Sequence, residues 1–239
     1  MTAHDTGTNT GINTEDTDAH SSPPSGPDDR GGAIGTLAAS MRQLGRWRIW
    51  IASAAVFLVF ACVFFASSAP FAIPEVAAAC GQQPPDMRFY TSADDITSFL
   101  DACGPTGRDT YRNMQVADLV YPAIVGLFLA SSLALVIGRL SPRGSNLVWL
   151  ASIPLVASSF DYIENIFAWF ALARYPGSAP TDAVLGYASA AKTATSWAGG
   201  ILLLGALAVL GVQLVRRRVR PIGDDPSGSG STGRRAVLA

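Results

Sequence analysis

Four separated apolar runs, each long enough to cross the hydrocarbon core of a bilayer, constrain this chain more than any other feature. A membrane-crossing helix needs about 20 consecutive, mostly apolar residues. The runs cover approximately 48–69, 118–138, 147–171 and 185–215 of the 239 residues. Hydrophobic residues make up 49% of the chain and charged residues only 15%, as is typical of a membrane protein. The sequence therefore predicts an all-α fold, a four-helix transmembrane bundle within 41–216.

The two ends of the chain have a different composition. Residues 1–40 and 217–239 are rich in Gly, Ser, Pro, Thr and Asp and show no apolar periodicity, so we expect disordered tails. The polar leader precedes the first run, which argues against a cleaved signal peptide. Both histidines, His4 and His20, lie in this leader. A haem or zinc site held by histidines inside the membrane is therefore not expected, and we predict neither a cofactor nor a metal.

Arginine placement predicts the orientation of the chain in the membrane. Arginines cluster before the first run, after the second and after the fourth, and such clusters favour the cytoplasmic side. The 70–117 connection is instead acidic and should face outward. Both termini would then be cytoplasmic, in a multi-pass protein of the plasma membrane. The clustered arginines are Arg42, Arg46, Arg48, Arg139, Arg143, Arg216, Arg217, Arg218 and Arg220.

The 70–117 connection is predicted to form a small helical cap on the outer side. Ser92 with Asp95 three residues later is a helix start, Gly104 is a stop, and a second helix should follow into the second span. Cys80 and Cys103 would form a disulfide in an oxidising compartment. Two unpaired thiols, or lipoprotein processing near Cys80, are the alternatives. The chain has no C-x-x-C motif, so thiol-exchange catalysis is not expected.

The third run contains an unusual polar face, in the stretch SSFDYIENIFAWF. Asp161, Glu164 and Asn165 are spaced i, i+3 and i+4, and Ser158 precedes Asp161 by three, so all four share one side of a helix. A charge facing lipid near the bilayer centre costs roughly 2.5–3.5 kcal/mol even on the lenient insertion scale. This face must therefore point into the bundle.

Lys192, the only lysine of the chain, lies in the fourth run near Thr195 and Ser196. At ~1.5 Å per helical residue, counted from the cytoplasmic arginines, Lys192, Asp161 and Asp118 reach a similar depth near the outer side. We expect Lys192 to neutralise Asp161 or Glu164, with hydrogen bonds from neighbouring polar side chains. Those expected neighbours are Ser158, Asn165 and Thr195, and the expected ligand-binding set adds Tyr111, Asp118, Tyr121 and Ser196.

Several of these elements together resemble a loose family of small four-span bacterial membrane proteins of uncharacterised activity. The segment at 89–122 ends in D-x-x-[FY]-P, the segment at 160–165 contains D-x-x-E-N, and a late lysine follows. The resemblance covers about 85–215 and implies one common site. It supplies no reaction. The residues implied for that site are Tyr111, Asp118, Tyr121, Asp161, Glu164, Asn165 and Lys192.

Two functional hypotheses follow, and the sequence names no reaction for either. In the first, a polar pocket near the outer leaflet binds or transforms a lipid-like or small amphiphilic ligand. Asp161 or Glu164 would exchange protons, Lys192 would stabilise negative charge and Tyr121 would orient the ligand. Asp161, Glu164 and Lys192 are the candidate catalytic groups.

In the second hypothesis the buried charges are a structural ion-pair network, in an envelope protein that acts as a scaffold. Its partner would be another envelope protein or a second copy of the chain. Proton- or cation-coupled transport is a further possibility, and it would require oligomerisation because four spans are few. No basic patch interleaved with aromatic residues is present, so nucleic acid is not an expected partner.

Overall fold

The computed structural model of the protein describes residues 28–141, 145–177 and 179–219, and over these residues the fold is all-α without strands. Two short 3₁₀ segments, Pro85–Met87 and Asn146–Ser152, supplement the α-helices. The helices are α1 Asp28–Leu44, α2 Trp47–Ala66, α3 Ile73–Cys80, α4 Ala93–Asp118, α5 Tyr121–Leu140, α6 Ile153–Arg174 and α7 Asp182–Val219.

Four helical segments are long and apolar enough to cross a membrane: Trp47–Ala66, Ala93–Leu140, Asn146–Arg174 and Asp182–Arg218. The predicted all-α bundle and its four apolar helices are therefore confirmed. The second of these segments combines α4 and α5. Arg139, near the end of α5, marks the end of the bundle that we call the arginine end. Tyr121, at the start of α5, marks the opposite end, which we call the cap end.

The N-terminal boundary of the bundle differs from the prediction. We expected residues 1–40 to be disordered, yet α1 begins at Asp28. Ala38 and Met41 of this helix are buried, and Met41 packs in a cluster with Leu133 of α5 and Val148 of the second 3₁₀ segment. The structure differs from the expectation over 28–40, where a weakly apolar helix meets the bundle through residues near its carboxyl end, among them Ala38, Met41 and Leu44. Helix α7 likewise continues to Val219, three residues into the predicted tail at 217–239. The remaining parts of the two predicted tails, 1–27 and 220–239, lie outside the described residues.

Helix α5 is central, with α2, α6 and α7 packed around it. Between α2 and α5 the contact includes polar pairs inside an apolar interface. Ser53 Oγ and Ser131 Oγ lie 2.9 Å apart, and Trp50 Nε1 donates to Ser132 Oγ at 3.0 Å. Such hydrogen bonds between membrane helices contribute about 0.6 kcal/mol each on average. They fix the pairing of two helices that otherwise present similar apolar surfaces.

The predicted cap is present at one end of the bundle, in residues 67–118, with a hydrophobic core of its own. Ser92 caps α4 and forms a capping box with Asp95, as predicted. Gly104 adopts φ 61°, a backbone conformation that interrupts α4 at the predicted stop. Cys80 of α3 and Cys103 of α4 form a disulfide, which confirms the predicted pair. The core includes Ile96, Phe99, Leu100, Tyr111 and Met114, packed against Phe64 of α2 and Leu172 of α6.

Replacing Cys80 and Cys103 together by Ser should lower the stability of the protein markedly. The bond closes a loop between residues 23 apart in sequence. In the chain-entropy model, closing a loop of this size stabilises the folded protein by about 3 kcal/mol. Thermal unfolding in detergent, with and without reductant, measures the change. Cys62→Ser is the matched control, because this exposed cysteine is not in a disulfide. Equal unfolding temperatures for the double variant and the control would contradict the expectation.

Candidate functional site

The ion pairs at the cap end of the bundle join α6 to α7. Lys192 Nζ lies 3.3 Å from Asp161 Oδ1 and also contacts Glu164 Oε2 directly. Ser189 Oγ donates to the other carboxylate oxygen of Glu164 at 2.5 Å. Asp161 and Glu164 are three residues apart on α6, and Ser189 and Lys192 are three apart on α7, so each helix presents one face to the other. Glu164 and Ser189 are completely buried there.

Asp118 joins this site through a break in the helix that carries it. In a continuous helix the Asp118 carbonyl would accept from the backbone N–H of residue 122, but that residue is a proline and has none. Helix α4 accordingly ends at Asp118, and α5 begins at Tyr121. Asn165 Nδ2 supplies the missing donor to the Asp118 carbonyl at 3.2 Å. Asn165 thus fixes where the break, and the Asp118 side chain with it, lies against α6.

Asp86, in the cap, is a fourth acid at the site, although in the sequence it is only one of several acids of the 70–117 connection. Its backbone carbonyl accepts from Lys192 Nζ at 3.2 Å. Its carboxylate accepts from Gln115 Nε2 at 2.8 Å and from the Tyr111 hydroxyl at 3.4 Å. The cap folds back over the bundle to bring Asp86 here. No local sequence signal distinguishes this aspartate from the other acids of the connection.

A close backbone contact holds this part of the cap on α7. A Cβ at Gly186 would lie 2.5 Å from the Thr91 carbonyl oxygen and 2.6 Å from the Tyr90 ring. Only glycine permits that approach. The Thr91 hydroxyl, completely buried, donates to the Pro85 carbonyl at 3.1 Å. These contacts determine the position of the segment that carries Asp86.

Two adjoining cavities open among these charged groups. The smaller, which we call the chamber, has a volume of about 50 Å³ and touches Asp86, Asp118, Asp161 and Lys192. The larger, which we call the groove, has a volume of about 340 Å³ and continues between α5, α6 and α7. Tyr121, Asp161 and Lys192 line both. The remaining groove residues include Val125, Leu129, Pro154, Ala157, Ser158, Ser196 and Trp197.

Some predicted residues occupy other roles than expected. We expected Ser158 and Thr195 to hydrogen-bond the carboxylates. Instead Ser158 Oγ donates to the Pro122 carbonyl at 2.7 Å, and Thr195 Oγ1 donates to the Ala191 carbonyl of its own helix at 2.6 Å. A short hydroxyl side chain on a helix readily bonds a nearby backbone carbonyl, which accounts for both. The hydroxyl that does reach a carboxylate is that of Ser189, which shares the Lys192 face but was not selected.

Tyr111 and Tyr121 lie in different surroundings. Tyr111 is completely buried in the cap core, edge-on to Phe99 at 4.9 Å between ring centroids, and it reaches the site through Asp86. Tyr121 packs beside Phe64 with 5.5 Å between centroids and lines both cavities. Tyr121 is thus placed to touch a bound molecule directly. Tyr111 instead supports the position of Asp86, together with Gln115.

Acids outnumber bases at this site. Asp86, Asp118, Asp161 and Glu164 surround the single amine of Lys192. Among the described residues, Asp86 and Asp118 form no ion pair within 4.0 Å. Over the same residues no group of three or more His, Cys, Asp or Glu side chains is arranged to hold a metal ion. The arrangement can therefore accept a cationic or hydrogen-bond-donating group, or exchange protons.

Asp86, which lies outside the membrane-spanning helices, has a perturbed acidity. Burial beneath the cap, reinforced by the negative charge of Asp118, raises its pKa from 3.8 to about 7, against the opposing effect of Lys192. The two forms of this carboxyl therefore interconvert near neutral pH. Its proton uptake and release would change the charge of the chamber.

Comparison of the chain with protein families, with curated proteins and with solved structures found no match. The resemblance drawn from the sequence motifs stays a prediction. The chamber and the groove are accordingly the features of the molecule that bear on its function.

Lys192→Met should destabilise the protein by about 3–5 kcal/mol, because it leaves buried carboxylates without their cation. Adding Glu164→Gln to this variant should restore part of the loss, since the double variant buries one charge fewer. Thermal unfolding of the two single variants and the double variant in detergent measures the coupling. Arg112→Met is the control: this arginine pairs with Asp109 on the exposed surface of the cap, and its loss should matter little. Additive effects of the two site variants would contradict a coupled pair.

The pKa of Asp86 predicts a pH-dependent stability. Between pH 3.8 and about 7 the folded protein retains a proton that the unfolded chain has lost, so the free energy of unfolding falls as pH rises through this window. Asp86→Asn should flatten this dependence and gain stability relative to the native protein above neutral pH. Unfolding temperatures recorded from about pH 5 to about pH 8 measure the effect. Asp94→Asn removes an equal charge from an exposed cap position, and the native slope should persist in it.

Proposed function

We propose that this multi-pass membrane protein binds a small amphiphilic or lipid-like molecule in the groove, with the polar head of the ligand in the chamber. The observation that carries the proposal is the continuity between an apolar cavity and an acid-rich one. A volume of about 340 Å³ for the groove is at the lower end of the range typical of small-molecule sites. Purely structural packing of four helices requires neither cavity.

The groove offers apolar walls to the ligand tail. Val125 and Leu129 of α5, Pro154 and Ala157 of α6, and Trp197 of α7 contribute to its surface. Trp197 is 68% exposed, so the groove reaches the outside of the bundle beside it. In a bilayer this side faces the acyl chains. A lipid-like ligand can therefore enter sideways from the membrane without leaving an apolar environment.

The chamber favours a head group that donates hydrogen bonds or carries positive charge. Asp86 and Asp118 line it without a cationic partner among the described residues. An ammonium or hydroxyl group placed there would satisfy carboxylate oxygens that are otherwise desolvated at a cost. An anionic head would instead meet several like charges. The excess of acids over bases at the chamber thus favours cationic or hydrogen-bond-donating ligands over anionic ones.

Different roles follow for the candidate catalytic residues. Asp161 and Lys192 line both cavities, so they are the charged groups placed to meet a ligand and to exchange a proton with it. Glu164 is completely buried against Lys192 and Ser189 and positions the amine. Asn165 positions Asp118. The role that we propose for the site is binding of the ligand, and no bond-making or bond-breaking step is included.

The orientation proposed from arginine placement puts the cap outside a bacterial plasma membrane and both termini in the cytoplasm. It is supported by the clustering of arginines at one end of the bundle and the excess of acids over bases at the other. In this orientation the chamber lies near the outer leaflet. A ligand would be taken from that leaflet or from the external medium.

A structural role for the charges is the second candidate. It is favoured by the complete burial of Glu164, which pairs with Lys192 and fixes α6 against α7. In such a scaffold the groove would remain filled by ordinary membrane lipid without selectivity. The partner would be an envelope protein or a second copy of the chain.

Ser196→Leu tests the ligand proposal, because the larger side chain would occupy the groove without removing a charge. Mass spectrometry of molecules that co-purify in detergent should find an amphiphile enriched with the native protein and lost from this variant. Ala198→Leu is the matched control, an exposed position two residues along the same helix that does not line the groove. It should retain the molecule.

Asp118→Asn completes the test at the polar end. It should weaken binding of the same molecule about tenfold or more, as expected when a charged hydrogen-bond acceptor is lost. The folded state of each variant is checked by circular dichroism and size-exclusion chromatography. Recovery of the same unselective lipids from the native protein, Ser196→Leu and Ala198→Leu would contradict ligand binding and support the structural role.

A further inference from the structure

The arginine end of the bundle contains a second large cavity, distinct from the groove. Its volume is about 680 Å³. Arg139 of its wall and Tyr121 of the chamber are 18 positions apart on α5, a distance of about 27 Å along the helix axis. The cavity and the chamber therefore lie at opposite ends of the bundle. Nothing in the proposed function uses this cavity.

Four arginines line this cavity: Arg42, Arg46, Arg48 and Arg139. Among the described residues none of them forms an ion pair within 4.0 Å, and no acidic side chain lines the cavity. Arginines that merely decorate a surface are commonly interspersed with acids. Here the positive charge is concentrated around one concave space, which raises the local concentration of anions.

Packed elements form much of the described wall of this cavity. A Cβ at Gly45 would lie 3.0 Å from the Ala134 carbonyl, so glycine allows the link between α1 and α2 to lie directly on α5. Met41 and Val148 pack in the buried cluster next to this contact. Arg42 donates to the Ser145 carbonyl at 2.5 Å, which ties α1 to the segment before α6. The guanidinium groups are thus presented from a preformed frame.

The start of α2 adds backbone donors to this frame. Arg46 is the N-cap residue of α2, and no side chain caps its first turn. Free N–H groups there carry about half a positive charge. The carboxyl ends of α1 and α5 lie nearby and carry about half a negative charge each. Four guanidinium charges exceed these two partial charges severalfold, so the cavity stays strongly positive.

The chemistry of guanidinium groups limits the ligand. The planar guanidinium group donates two parallel hydrogen bonds to a carboxylate or a phosphate. Several guanidinium groups around one cavity can together bond the three oxygens on one face of a phosphate. Trp47 is 59% exposed, and the Arg48 guanidinium lies over its ring, 5.5 Å from the ring centroid. Exposed tryptophan and arginine at the end of an apolar helix mark the level of lipid head groups. A phosphate at that level is therefore within reach.

We propose that this arginine-lined cavity is a binding site for a phosphate-bearing anion, supplied by the head group of a membrane lipid or by a free phosphate compound. The site holds one phosphate between Arg46 and Arg139, with Arg48 beside Trp47 closing it. Arg42 keeps its structural bond to Ser145. The site is independent of the groove, so failure of one proposal leaves the other standing.

Arg46→Gln/Arg139→Gln is the test variant, because glutamine retains length and polarity but removes both charges. Arg216→Gln/Arg217→Gln is the matched control. It removes two exposed arginines from the last turn of α7, outside the cavity. Native mass spectrometry measures retention of dioleoylphosphatidylglycerol and of dioleoylglycerol, which lacks the phosphate. Scanning fluorimetry measures the unfolding temperature in inorganic phosphate and in chloride of equal ionic strength.

The native protein and the control should retain dioleoylphosphatidylglycerol over dioleoylglycerol, and the test variant should lose this preference by about tenfold or more. Stabilisation by inorganic phosphate beyond chloride, absent from the test variant, would assign the site to free phosphate compounds as well. Its absence alongside selective lipid retention would assign it to lipid. Equal losses in the test variant and the control, or no preference for phosphate by either measurement, would overturn the proposal.

Discussion

The pairing of one buried amine with two carboxylates is the constraint on which the packing of α6 and α7 depends. Lys192 reaches both Asp161 and Glu164, and neither helix can turn about its axis without exposing charge to lipid. Breaking such a pair costs far more than the contact itself contributes, because a desolvated charge remains. The rotation and the register of the two helices are therefore fixed together. The groove is the space left when α5 packs against this fixed pair.

A second constraint is the missing N–H of Pro122. It ends α4 at Asp118 and leaves a carbonyl that Asn165 satisfies. Pro122, which interrupts the helix, thus directs the cap over the bundle and places Asp118 at the chamber. The cap then contributes Asp86, held by Tyr111 and Gln115. Backbone hydrogen bonding and the placement of charge are coupled in this way. The bond from Asn165 that satisfies the free Asp118 carbonyl also positions the titratable side chain of Asp118.

The two ends of the bundle carry opposite charge. Acids surround the chamber at the cap end, whereas four arginines surround the cavity at the other end. In the proposals made above, this asymmetry separates a site for hydrogen-bond donors at the cap end from a site for anions at the arginine end. Helix α5 reaches from the cap end to the arginine end, with polar contacts to α2 and a close approach to α6.

The sequence by itself determined the four apolar helices and the helix that begins after Ser92, because composition, local spacing and capping chemistry act over a few residues. It favoured a bond between Cys80 and Cys103 but left unpaired thiols open, and the packing of α3 on α4 decided between them. The spacing of Asp161, Glu164 and Asn165, and the depth of Lys192, were likewise readable from helical periodicity. Only the tertiary structure decided that Asp86 joins them, that Ser189 rather than Thr195 bonds Glu164, and that α1 folds onto the arginine end. Those contacts join residues far apart in the chain, and their selection depends on which carbonyls, glycines and side-chain volumes meet once the helices have packed.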